Sequence, residues 1–163
     1  MKKLLLVRHA KAEKISPNQK DFDRELANKG QMDAPRIAQI IFNEGVKPQL
    51  IVSSPAARAL TTAQLFAEQL KIENAAIVQN EDIYEASPGV LLKIVNNFSD
   101  ETDFIALFGH NPGFSYLAEY LTGSEIGEIP TCGALLIEFN FDSWKLISQN
   151  TGSLIKNWYP KEV

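Results

Sequence analysis

The chain has 163 residues, enough for one domain with a hydrophobic core, and its 45% hydrophobic and 22% charged residues are an ordinary globular balance. A net charge of -4 argues against a nucleic-acid binder, which needs a basic face, but leaves room for a small anion held by a local arginine cluster. The single cysteine, Cys132, excludes an internal disulfide and fits a reducing compartment.

The N-terminal apolar run stops at Val7, too soon for a signal peptide, and no stretch is long enough to span a bilayer. A cytoplasmic protein without membrane contact is therefore expected. No repeat or low-complexity tract interrupts the chain, so residues 1–163 are read as a single domain.

Leu4 to Val7 predicts a first strand, covered on both faces. Glu13 to Gln31 is polar and without periodicity, which predicts a surface loop near the end of that strand. Ile37, Ile40 and Ile41 predict a helix over Asp33 to Asn43, ended by Gly45. Leu50-Ile51-Val52 reads as a second strand. Ser54-Pro55 then opens a helix, with the serine as cap, and Leu60, Ala63, Ala67 and Leu70 line one side of it. Ala75 to Val78 is a weak third strand, and Pro88 to Phe98 a helix with Leu91, Leu92 and Val95 inward. Phe104 to Phe108 is a strong buried strand. Asn111-Pro112 repeats the cap-plus-proline signal and starts a helix through Leu121. Gly133 to Phe141 and Trp144 to Gln149 predict a hairpin around Asp142-Ser143.

Strands alternating with helices imply an α/β fold: a three-layer α/β/α sandwich with a mostly parallel sheet of about six strands and an antiparallel C-terminal hairpin. Ligands in such sheets sit outside the carboxyl ends of the strands. Arg8-His9, Ser53 to Arg58, and Gly109 to Pro112 all leave strands at that end. Both histidines of the chain fall there. Any one such arginine or histidine is usually only a surface residue. The joint placement of Arg8, His9, Arg58 and His110 is what points to an anion site. Arg58 also opposes its own helix dipole, so helix stability does not explain it.

Leu5-Leu6-Val7-Arg8-His9-Ala10 resembles the strand-plus-RHG signature of the histidine phosphatase superfamily. Ser53-Ser54-Pro55-Ala56-Ala57-Arg58-Ala59-Leu60-Thr61-Thr62-Ala63 resembles its second segment, and Phe108-Gly109-His110-Asn111-Pro112 its third. The short length and the Gly-His-Asn-Pro ending resemble the SixA-type phosphohistidine phosphatases. One departure is Ala10, where many members carry glycine.

The resemblance implies a phosphatase in which His9 is the nucleophile, through a covalent phosphohistidine. Arg8, Arg58 and His110 would then hold the phosphoryl oxygens. It also suggests a carboxylate acid after the third strand, where Glu85 is the nearest match, with Asp21 and Asp23 as alternatives. No Asp, His or Cys cluster has metal-ligand spacing, so neither metal nor cofactor is expected. The expected partner is a phosphohistidine protein, because a site covered only by Glu13 to Gln31 should be open. A small phosphorylated metabolite, or a module that binds phosphate without turnover, are the alternatives. Cys132, Trp144 and Trp158 read as packing, and Lys11 as an exposed charge.

Overall fold

The computed structural model describes residues 1–163. The main elements are β1 (Lys2–Arg8), α1 (Asn28–Asn43), β2 (Leu50–Ser53), α2 (Ala57–Leu70), β3 (Ile77–Gln79), α3 (Pro88–Asn96), β4 (Phe104–Gly109), α4 (Gly113–Thr122), β5 (Ala134–Phe139) and β6 (Gly152–Trp158). The strands form one sheet in the order β3-β2-β4-β1-β5-β6. The β3-β2, β2-β4 and β4-β1 pairs are parallel. β5 is antiparallel to both β1 and β6, so it alone runs against the rest.

The unbroken apolar runs follow from this sandwich. Leu4 and Leu6 point into a core shared with α3 and α4, where Ile105, Leu107, Leu117 and Leu121 meet them. Leu5 and Val7 point the other way, onto Ile37 and Ile41 of α1 and Ala63 and Phe66 of α2. A strand with both faces covered has no polar alternation to show. No helix is long and apolar enough to cross a membrane.

Several boundaries differ from the sequence expectation. α1 starts at Asn28 rather than Asp33 and keeps Pro35 inside it. Its early turn is pressed onto the chain leaving β1: Ala27 N–H donates to the Lys11 carbonyl at 2.9 Å, and a Cβ on Gly30 would collide with the Lys11 backbone. The added tertiary contact extends the helix backwards. The expected loop therefore shortens, and it contains a single helical turn at Asp21–Asp23.

α2 and α4 are not capped by Ser54 and Asn111; they begin at Ala57 and Gly113, with no side-chain cap. Both side chains are engaged elsewhere. Ser54 Oγ meets His110, and Asn111 bonds the Ile129 carbonyl and Ser115. α3 does follow the cap-plus-proline rule, with Ser87 accepting from Val90 N–H. β3 lies two residues later than expected at its start.

The second hairpin strand is β6, not Trp144 to Gln149. Trp144 sits in a short helical turn and is fully buried in the α3/α4 core, with its indole N–H on the Thr102 carbonyl at 2.8 Å. Burying that ring pulls the chain off the sheet before β6 begins.

Candidate active site

Sheet register brings the three segments together. Arg8 on β1 is level with Gly109 on β4, and His9 N–H donates to the Gly109 carbonyl at 3.0 Å. Ser53 on β2 is level with Phe108, and Ser54 N–H donates to the Phe108 carbonyl at 3.0 Å. The chains leaving β1, β4 and β2 thus lie side by side. The His9 and His110 rings are 5.3 Å apart, and each residue is only 9% exposed.

His9 is fixed by its own neighbour. Its Nδ1 lies 2.8 Å from the Ala10 carbonyl. A carbonyl only accepts, so Nδ1 carries the proton and Nε2 keeps its lone pair. Burial is the main force on its pKa; the bond to the Ala10 carbonyl opposes it, and repulsion from Arg58, Arg8 and Arg24 adds to the lowering. The balance brings it down to about 4. At neutral pH the ring is uncharged. Ala10 is fully buried and has no left-handed backbone, so alanine takes the usual glycine position without strain.

His110 has Nε2 2.8 Å from Ser54 Oγ, while its Nδ1 is buried without a partner. Burial, with His9 and Arg58 beside it, pushes its pKa down to about 3. Arg8 donates through Nη1 to the Ile129 carbonyl at 2.7 Å, and its Nε is buried and unpaired. Arg8 Nε is an unpaired buried donor, and His110 Nδ1 is a second one in the tautomer whose Nε2 accepts from Ser54 Oγ; an oxyanion would satisfy both.

Arg58 comes from the first turn of α2 and is 7% exposed. Its Nη1 donates to the Asp21 carbonyl at 2.7 Å and its Nη2 to Asp21 Oδ2 at 2.9 Å. The Tyr84 hydroxyl donates to the same Oδ2 at 2.6 Å. The Tyr84 ring stands edge-on to His110, with centroids 5.5 Å apart.

Sequence reasoning assigned no role to Tyr84 or Thr62. Thr62 is fully buried. Its Oγ1 accepts from Ala10 N–H at 3.0 Å and donates to the Arg58 carbonyl at 2.7 Å, tying α2 to the end of β1. A hydroxyl-bearing residue one helical turn after Arg58 was the available signal.

The three candidate carboxylates separate. Asp21 lies against the arginines, and its hydrogen bonds from Tyr84, Arg24 and Arg58 hold it well below the usual carboxylate range. Glu85 and Asp23 are exposed and form none of the protein's ion pairs with the site arginines. Glu85 has left-handed backbone (φ 55) next to Tyr84.

Access is less open than the sequence suggests, because residues around Asp21 lie against the site. A cavity of about 540 Å³ does open beside Arg8, walled by Asn111, Ser115, Tyr116 and Glu128. Cys132 backs the site: its N–H donates to the His9 carbonyl at 3.0 Å. Burial raises its thiol to about 12, so it stays unreactive. Lys11 is exposed.

Comparison with known proteins agrees with this geometry. The family model "Histidine phosphatase superfamily (branch 1)" matches residues 4–96, more than half of the chain. An uncharacterized chloroplastic protein of Arabidopsis thaliana is 31% identical over 152 residues, covering 88% of this chain and 69% of that protein. SixA of Agrobacterium tumefaciens, named as a phosphohistidine phosphatase, superposes with a TM-score of 0.84 at 28% identity, covering 98% of each chain. The protein histidine phosphatase SixA in complex with tungstate has the same fold, with a TM-score of 0.84 at 16% identity and 98% of each chain covered. The chain belongs to branch 1 of the histidine phosphatase superfamily and is of the SixA type.

Proposed function

We propose that this protein is a phosphatase whose nucleophile is His9 Nε2. The observation that carries the reading is the His9 Nδ1–H bond to the Ala10 carbonyl, which leaves a neutral imidazole with its lone pair on Nε2 among Arg8, Arg58 and His110. In the first step Nε2 attacks phosphorus. The bond from phosphorus to the leaving group breaks, and the leaving group takes that electron pair and a proton. In the second step water attacks the phosphohistidine, releasing phosphate and restoring neutral His9. Arg8 and Arg58 supply permanent positive charge to the equatorial oxygens, and His110 supplies a further ring-nitrogen contact. The leaving-group proton is assigned to Glu85 or solvent. Glu85 is exposed and adjoins Tyr84 at the rim of the site, within the region a bound leaving group would occupy.

The substrate we favour is phosphohistidine on a protein. The 28% identity to a SixA protein supports it, as does the outward cavity at Arg8 with the exposed Tyr116 on its wall. A protonated imidazole also leaves readily, so the enzyme needs little acid assistance. Side-by-side turnover of a phosphohistidine protein, phosphoserine, a sugar phosphate and a nucleotide monoester tests this. The expected result is the highest kcat/KM for phosphohistidine. A sugar or nucleotide monoester well ahead would overturn the protein-substrate reading.

A further inference from the structure

The segment between β1 and α1 makes its hydrogen bonds to Arg58 and Tyr84 through Asp21. Asp21 accepts hydrogen bonds from donors on three parts of the chain. Arg58 on α2 gives both terminal nitrogens, Nη1 to the Asp21 backbone carbonyl at 2.7 Å and Nη2 to Oδ2 at 2.9 Å. Tyr84, in the turn after β3, gives its hydroxyl at 2.6 Å. Arg24, three residues on, gives Nη1 to Oδ1 at 3.0 Å. Aromatic contacts extend the assembly. Phe22 stands edge-on to Tyr84 at 5.2 Å, and the Arg58 guanidinium lies 6.0 Å from the Tyr84 ring centre.

These bonds act on a residue with much freedom to lose. An arginine side chain carries about 2 kcal/mol of rotamer entropy. Two bonds to one aspartate fix the plane of the fork and leave three of its five N–H groups free for another ligand. The Arg58 side chain is 8% exposed and that of Asp21 44%, so solvent screens part of the charge attraction and the paired hydrogen bonds carry the orientation.

We infer that Asp21 is a positioning residue for Arg58. It acts as a clasp that holds the guanidinium in its phosphoryl-binding orientation and draws the β1–α1 segment onto the site. The inference rests on the proposed phosphatase reading for what Arg58 binds. It also removes Asp21 from the acid role, since a carboxylate held ionised by Tyr84, Arg24 and Arg58 has no proton to give at neutral pH.

The test is a double-mutant cycle of Asp21→Ala and Arg58→Ala, with orthovanadate affinity and kcat/KM for p-nitrophenyl phosphate and phenyl phosphate as readouts. With Arg58 present, Asp21→Ala should weaken vanadate binding about tenfold, and with Arg58→Ala less than about twofold, because the two act as a unit. The loss in kcat/KM should be alike for the two esters, whose leaving groups differ in need for a proton. Equal losses in both Arg58 backgrounds would show general structural damage and overturn the proposal. A much larger loss for phenyl phosphate would make Asp21 the acid, and overturn it too. Asp21→Asn, which keeps the shape, repeats the cycle if the alanine variant does not fold, and additive effects there have the same meaning. If wild type turns over no phosphate compound yet the vanadate cycle is coupled, the phosphatase reading fails and the clasp stands. Turnover with an uncoupled cycle gives the reverse.

Discussion

Two neutral histidines in a pocket of arginines make the site sensitive to acid in two separate ways. For catalysis, the His9 lone pair is available above its pKa of about 4. kcat/KM should therefore show no loss from His9 protonation as pH falls from 7 to 5, and should fall below about pH 4. An acidic limb near pH 6.5 would mean that the arginines and burial do not act on His9 as described. For stability, both folded pKa values lie below the unfolded value of 6.5, so the unfolded chain binds more protons between them. Stability from this source is present above pH 6.5 and is lost as pH falls towards 4 for His9 and towards 3 for His110. At pH 5 the loss is roughly 2 kcal/mol for each histidine. Denaturant titrations at pH 7 and 5 check it, and His110→Gln should remove about half of the difference. Arg58→Lys should recover little of the activity lost in Arg58→Ala, because a point charge cannot both fork to Asp21 and meet a phosphoryl group. A fully active lysine variant would place Arg58 outside the pocket.

At the scale of elements, the site is a product of register: β1, β4 and β2 end together, and each hands over one functional segment. The buried strands were readable because continuous apolar runs have no other home in a polar solvent. The helix starts at Ser54 and Asn111 were misread for a physical reason. A serine or asparagine before proline normally caps, but here each side chain is held by a distant partner, His110 for Ser54 and Ile129 for Asn111. The second hairpin strand was displaced by burial of Trp144, which local periodicity does not encode. Thr62 is the joint between elements. Thr62→Val keeps the volume but leaves the buried Ala10 N–H without its partner, at a cost of about 1–3 kcal/mol. Chemical denaturation measures it, and kcat/KM should fall as well because Ala10 holds His9. An unchanged midpoint would mean that the Ala10 N–H finds another acceptor.

Across the whole molecule, a chain of net charge -4 concentrates Arg8, Arg58 and Arg24 at one end of its sheet. On the proposed reading those charges take the part that a divalent ion would play for a phosphoryl group, so EDTA treatment should leave turnover unchanged. A loss restored by Mg²⁺ or Zn²⁺ would contradict that. The convergence of Arg8, His9, Arg58 and His110 was legible because each lies at or shortly after the end of a strand within a compact motif. The Asp21–Arg58 and Asp21–Tyr84 contacts were not, since 37 and 63 residues separate the partners and only the folded sheet joins them. The central claim is that His9 carries the phosphoryl group, and its most direct test is rapid quenching of the enzyme with a ³²P-labelled phosphohistidine protein. Wild type should trap label that is stable to base, labile to acid and located on His9, and His9→Ala should trap none and turn over nothing. Turnover without such a label, or an alanine variant that remains active, would contradict the account.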